Sequence, residues 1–168
     1  REGADDVAIW LSSFSANLWG RPECVAKVID IAHWNPVLFR DGGSGTYLFF
    51  KVGRNVPIWE TNCMTSKDDG HTWSEAVEIV PHDQGGRGPV KNKPIILADG
   101  SWLAGASTEY QGWKPFADRS QDAGRSWVRS ADWKIDPAVL AGDGAIQPTL
   151  WESAPGQVHA LLRTTAGF

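Results

Sequence analysis

Apolar residues recur along the chain in short runs, each closed by Gly, Pro, Asn or Asp. Asp6-Val7-Ala8-Ile9-Trp10-Leu11-Ser12 alternates loosely, while Val37-Leu38-Phe39, Leu48-Phe49-Phe50, Ile95-Ile96-Leu97, Trp102-Leu103-Ala104 and Leu161-Leu162 are nearly continuous. Runs this short, rich in β-branched and aromatic residues and bounded by turn formers, predict strands rather than helices. A period of 3.6 is nowhere sustained, so no long helix is predicted. The 18 Gly and 10 Pro are spread rather than clustered, as many short strands joined by tight turns require.

Two of the turns are nearly the same. Ser66-Lys67-Asp68-Asp69-Gly70-His71-Thr72-Trp73 and Ser120-Gln121-Asp122-Ala123-Gly124-Arg125-Ser126-Trp127 both read Ser-x-Asp-x-Gly-x-[Thr/Ser]-Trp, 54 residues apart. Trp19 falls on the same spacing, which predicts a third, degenerate copy. A fixed period of this size marks a repeat architecture. In each octamer the Asp accepts backbone N–H groups, Gly supplies positive φ, the hydroxyls close the turn and the Trp packs on the repeat. Ser66, Asp68, Gly70, Trp73, Ser120, Asp122, Gly124 and Trp127 are therefore expected to be structural.

A second marker keeps step with the first: Asn35-Pro36-Val37-Leu38-Phe39, Lys93-Pro94-Ile95-Ile96-Leu97 and Gln147-Pro148-Thr149-Leu150-Trp151, each a polar residue, a proline and an apolar run. Each is followed by a turn and a second strand. One period then reads as four antiparallel strands, A from the proline, B after an Asp-Gly turn, C into the octamer and D out of its Trp. Four such strands make a propeller blade of roughly 40 to 50 residues. The expected division is the end of one blade over 1–32, blades over 33–88 and 89–142, and the first half of another over 143–168.

Two octamers of this form in four-stranded repeats resemble the Asp-box, or bacterial neuraminidase (BNR) repeat, of the sialidase superfamily. The resemblance implies an all-β propeller, six-bladed in the whole protein, of which this chain would be about half. Arg1-Glu2-Gly3, His33-Trp34-Asn35-Pro36, Lys51-Val52-Gly53, Gly88-Pro89-Val90-Lys91-Asn92-Lys93-Pro94, Ser107-Thr108-Glu109, Gln147-Pro148-Thr149 and Leu162-Arg163 resemble the exo-alpha-sialidase-like branch. Hydrolases, lyases and non-enzymatic propellers share the Asp-box, so it speaks for fold more than reaction.

Strand direction sorts the loops. With the octamers in the C-to-D turns on one face, the D-to-A and B-to-C connections share the other, here called the top. They gather Arg1, Glu2, Asp5, His33, Trp34, Asn35, Lys51, Arg54, Arg87, Lys91, Asn92, Lys93, Glu109, Tyr110, Asp143, Gln147 and Arg163. Cations and amides crowd this face of a chain whose net charge is -4, which points to an anionic ligand. Arg1, Asn35, Lys51, Lys91, Asn92, Lys93, Gln147 and Arg163 are the candidate substrate-binding residues; a solvated loop is the plain alternative for Lys91, Asn92 and Lys93. His33, Glu109 and Glu2 are the candidate acids and bases, with a structural hydrogen bond or a salt bridge as the alternative. Trp34 and Trp113 are placed to stack on sugar, whereas Trp10, Trp102 and Trp151 read as packing between blades.

The mild acidic charge argues against nucleic acid or an anionic membrane as partner, and no apolar run is long enough for a transmembrane helix. No metal-like ligand spacing is present and no cofactor is implied; Cys24 and Cys63 read as buried free thiols. Compartment, cytoplasmic or secreted, is left open.

Three functions are expected to compete. The resemblance implies an exo-acting glycosidase on a glycan or glycoconjugate ending in an acidic sugar, with arginines on the carboxylate, a carboxylic acid on the leaving oxygen and a Tyr–Glu nucleophile. Arg163 matches the arginine set, and Tyr110 beside Glu109 is the nucleophile candidate. A lyase eliminating next to a uronic acid would use His33 as base and Lys91, Asn92, Lys93 and Arg163 on the carboxylate. A non-catalytic carbohydrate-binding propeller is the third. Half a propeller exposes unpaired sheet edges, so the chain alone is expected to self-associate or to need the missing blades of the same chain as partners, and to be inactive alone.

Overall fold

The computed structural model describes residues 2–165 apart from Ser44, Gln84 and Ala141; Arg1 lies outside the described residues. Among these the chain is all-β, with a single short 3-10 turn at Val56–Ile58. The strands are β1 (Ile9–Leu11), β2 (Phe14–Ser15), β3 (Leu18–Trp19), β4 (Glu23–Ala26), β5 (His33–Arg40), β6 (Thr46–Val52), β7 (Glu60–Ser66), β8 (Val77–Glu78), β9 (Ile95–Ile96), β10 (Trp102–Thr108), β11 (Lys114–Ser120), β12 (Val128–Arg129), β13 (Ala145–Ala154) and β14 (Gln157–Thr164). β5-β6-β7-β8 and β9-β10-β11-β12 are four-stranded antiparallel sheets, flanked by the pairs β1–β4 and β13–β14, while β2 and β3 form a side hairpin. This is a segment of a β-propeller.

The continuous run Leu48-Phe49-Phe50 in β6 follows from a sheet covered on both faces. Phe49 turns with Val37 and Phe39 toward Trp102, Ala104 and Trp127 of the next sheet. Leu48 and Phe50 turn with Met64 toward Ile9 and Ala26 of the preceding pair. The joint between the two complete sheets is aromatic: Phe39 and Tyr47 each lie 4.8 Å from Trp102, edge to face, and Phe49 lies 6.0 Å from Trp127. The buried ones, Phe39, Phe49, Trp102 and Trp127, each contribute about 1.5–3 kcal/mol.

The two octamers fold alike. Ser66 Oγ donates to Asp68 Oδ1 at 2.8 Å and accepts Gly70 N–H at 2.8 Å; Ser120 does the same with Asp122 and Gly124 at 2.8 and 2.7 Å. The carboxylates take the backbone N–H and the hydroxyl of Thr72 and Ser126 at 2.9 and 2.6 Å in both cases. These bonds hold Asp68 and Asp122 down to about 2. Trp19 is no third copy: it sits 71% exposed on the β2–β3 hairpin, 5.3 Å from Phe14, because Ser12 to Trp19 lacks the Asp that would organise the wider turn. Trp102 is buried as packing between sheets requires, but Trp10 and Trp151 are exposed. Both cysteines are free; Cys63 is half-buried, its thiol pushed up to about 12, and Cys24 lies in the open rather than in the core.

The proline marker misaligns the middle repeat. Pairing of β5 with β6 and of β13 with β14 breaks at the same place, around Asn35-Pro36 and around Gln147-Pro148. Transferring the β9–β10 register onto the same frame makes Lys91 and Asn92, not Lys93 and Pro94, the counterparts of those dipeptides. Backbone geometry agrees: Asn35, Lys91 and Gln147, spaced 56 and 56, are left-handed at φ 47, 62 and 58.

Candidate functional site

Two rings of equivalent positions define the top face. At the heads of the A segments stand Asn35, Lys91 and Gln147, each turned out of its strand by the left-handed backbone. Near the ends of the B strands stand Lys51, Ser107 and Arg163, again 56 apart and matched by register. Ser107 carries no charge of its own, so the sequence singled out only Glu109 in this stretch.

Neighbouring heads are tied together. Asn92 Nδ2 donates to Gln147 O at 2.8 Å, and Gln147 N donates to Ser107 Oγ at 3.4 Å. Asn92 and Gln147 therefore stiffen the rim. Lys91 and Lys93 are exposed, and neither has a salt-bridge partner among the described residues. Lys93 occupies the position of Val37 on its strand, one step below the rim.

Arg163 is exposed with its guanidinium 4.9 Å from the Trp113 ring. Trp113 is itself fixed: its N–H donates to Asp143 O at 3.1 Å and its carbonyl accepts Ala145 N–H at 3.2 Å. An arginine laid on an aromatic plane loses little freedom on gripping a carboxylate with its outer N–H pair. Glu109 follows β10 directly and is half-buried, with Tyr110 exposed beside it.

Lys51 departs from the expectation of a free cation. Its side chain is 0% exposed, and its ammonium donates to Thr61 Oγ1 and, at 2.6 Å, to Arg87 O. Burial lowers it to about 7 against the pull of Asp118 and Asp83. It belongs to a charged joint that patterning did not reveal: Arg87 Nη2 lies 2.8 Å from Asp118 Oδ1, and Asp118, fully buried on β11, also accepts Gly88 N–H at 2.6 Å. Lys51 thus holds the two sheets together from beneath the face.

His33 also departs from its expected place. It is 2% exposed, because its N–H bonds Val7 O at 3.1 Å and draws the head of β5 under the first pair of strands. The ring stacks on Phe50 at 5.7 Å, with Nδ1–H donating to Ile31 O at 3.1 Å and Nε2 buried without a partner. Burial lowers its pKa, so the ring is neutral near pH 7. The ring shows only an edge to a cavity of about 700 Å³ that it lines with Ile31, Phe50, Glu60 and Trp73.

Glu2 is exposed at the edge of a cavity of about 700 Å³ shared with Gly3, Trp34, Arg54, Asn55 and Pro57. Trp34 forms its wall, held by Nε1–H to Gly53 O at 2.9 Å and edge-on to Trp59 at 5.8 Å. Gly3, at φ 80, can approach because a Cβ there would stand 2.8 Å from the Trp34 ring. Among the described residues no three His, Cys, Asp or Glu side chains converge as metal ligands.

The pattern of the BNR repeat-like domain family (BNR_2) matches residues 1–167. The chain belongs to that family. No curated protein sequence matches this BNR repeat-like chain. Among solved structures it is similar to "Hadza microbial sialidase Hz136", with TM-score 0.71 at 16% identity over 93% of this chain. The match takes in 35% of that sialidase, so the BNR repeat-like chain spans about a third of its length. The likeness is one of fold: a sialidase-type propeller carrying Asp-boxes on the face away from the candidate site.

Proposed function

We propose that the chain supplies part of the glycan-binding face of a sialidase-like glycoside hydrolase that removes a terminal acidic sugar. The observation that supports this most is Arg163 laid on Trp113, an exposed guanidinium fixed by an aromatic plane on the rim of a propeller. Such a group suits a sugar carboxylate, and Lys91 adds long-range attraction. Asn92 and Gln147 hold the rim and offer hydrogen bonds to sugar hydroxyls. Glu109 acts as the acid that protonates the leaving oxygen, with Tyr110 in reach of the same space. Burial of His33 favours this reading over elimination next to a uronate, since an eliminating base must touch the substrate.

Titrating the protein with N-acetylneuraminic acid and with a neutral hexose tests the binding half. Preference for the acidic sugar is expected, weakened about 10- to 100-fold in Arg163→Ala, the loss of one or two charge-assisted hydrogen bonds. Equal binding of both sugars, or an unchanged affinity in the variant, removes the reading. Release of free acidic sugar from a sialoside tests the hydrolytic half; a product with the ultraviolet absorbance of an unsaturated uronate points to the lyase.

A further inference from the structure

The connection from β12 to β13 builds a cavity on its way to the next sheet. It climbs beside β11, where Trp133 N–H donates to Pro115 O at 2.8 Å, and turns at Asp136, whose carbonyl accepts Val139 and Leu140 N–H at 2.9 and 3.0 Å. The Asp136 carboxylate closes the same turn on Ala138 N–H at 2.8 Å. The turn brings Leu140, which is buried, back to the head of β11. Between connection and strand lies a cavity of about 320 Å³, walled by Trp113, Trp133, Ile135, Pro137 and Leu140. All of its lining comes from the third strand of one complete sheet and the segments that flank it.

These walls suit an apolar occupant. Among the described residues the charged lining side chains are Lys114 and Asp143, both exposed. Backbone donors are scarce as well: Trp113, Trp133 and Leu140 spend their N–H groups within the fold, and Pro115 and Pro137 have none. A second sugar ring would give up its water here for few partners. An aryl or alkyl group loses no hydrogen bond and gains burial against two indoles.

Arg163 decides which part of a ligand reaches the cavity. Trp113 both walls it and carries the Arg163 guanidinium, 4.9 Å from its ring. In a glycoside of N-acetylneuraminic acid, the carboxylate and the glycosidic oxygen sit on one anomeric carbon. A carboxylate held by Arg163 therefore starts the aglycone beside Trp113.

We propose that this cavity receives an apolar aglycone, aryl or alkyl, so that the preferred substrate is an acidic sugar carried on a non-sugar group rather than on a second sugar. The inference rests on the proposed carboxylate grip of Arg163 for its direction, and on the cavity's own walls for its chemistry.

The whole chain is titrated calorimetrically with N-acetylneuraminic acid and with its thio-linked phenyl and lactosyl glycosides, whose sulfur bridge resists hydrolysis. The phenyl glycoside should bind roughly 10-fold more tightly than the free sugar, as burial of part of an aromatic ring gives, and the lactosyl one no more tightly. Trp133→Ala should remove that gain and leave the affinity for free N-acetylneuraminic acid unchanged. If this variant loses its cooperative melt, Ile135→Asn, on the same wall, replaces it. A lactosyl glycoside that binds as tightly as the phenyl one, or a phenyl gain that survives the substitution, overturns the inference. Phenyl and methyl β-galactoside, which carry no carboxylate, keep it apart from the reading of Arg163. Tighter binding of the phenyl galactoside, lost in Trp133→Ala, upholds the cavity even where the acidic sugar shows no preference. Equal binding of the two galactosides, or none at millimolar concentration, overturns it whatever Arg163 does.

Discussion

Arg87 reaches out of the segment after β8 and closes on the Asp118 carboxylate of the next sheet, Nε at 2.9 and 3.0 Å and Nη2 at 2.8 Å. The same guanidinium donates to Trp127 O at 2.9 Å, so one side chain ties a carboxylate and an Asp-box Trp to the neighbouring repeat. Removing one member of a buried pair strands the other charge, at about 3–5 kcal/mol. Asp118→Ala should therefore lower stability by that amount in urea unfolding. A loss under about 1 kcal/mol would show that water or Asp83 replaces the carboxylate.

Lys51 makes stability depend on pH in the alkaline direction. Its folded pKa, about 7, is below the ordinary lysine value of 10.5, so between these values the unfolded chain binds more protons than the folded one. Stability from this group then rises with pH through that window and is lowest below it. Thermal melting should move upward from pH 7 to pH 10, and Lys51→Met should flatten that rise. A parallel rise in the variant assigns it to other groups.

The Asp-boxes behave in the opposite sense in acid. Asp68 and Asp122 are held near 2, below the ordinary carboxylate value, so their stabilisation is present above about pH 4 and fades as pH falls toward 2. Ser120 Oγ, buried, anchors the second turn, and Ser120→Ala should cost about 1–3 kcal/mol by leaving Gly124 N–H and Asp122 without it. Denaturant midpoints of the variant at pH 7 and pH 2.5 measure both effects; a smaller difference from wild type in acid is the expected result.

Gly144 lets the support of Arg163 form. A Cβ there would stand 1.9 Å from Trp113 O, and its φ is 124. Gly144→Ala should push the Trp113 segment away, weakening acidic-sugar binding as Arg163→Ala does, without any change to a side chain on the rim. Titration against N-acetylneuraminic acid reads this directly; wild-type affinity would mean that Trp113 does not position Arg163.

Much of the fold was legible because each strand is bounded by turn chemistry and each octamer repeats its own hydrogen-bond code. The octamers announced the C-to-D turns, and the short apolar runs such as Leu48-Phe49-Phe50 announced the strands. Legibility failed where long-range pairing overrides local pattern. Pro94 looks like Pro36 and Pro148, yet strand register puts Asn92 in their place. Trp19 keeps the spacing of Trp73 and Trp127 but not their turn. Of the cations expected on the top face, Lys91 and Arg163 stay at the surface, whereas Lys51 is buried among Thr61, Arg87 and Asp118, which come from three separate segments and leave no local mark. His33 carries no local mark of the bond from Val7 that draws it inward.

The left-handed turn at Asn35, Lys91 and Gln147 has a consequence for how such a face can change over evolutionary time. A non-glycine residue held there costs about 1–3 kcal/mol, and Asn35 and Gln147 also precede proline, which disfavours helical backbone. The turn works as a clutch: above it the chain can change residue type or hydrogen-bond partner, while below it the ladder keeps its register. New ligand chemistry can be written into three positions of the rim without rewriting the sheets that carry them.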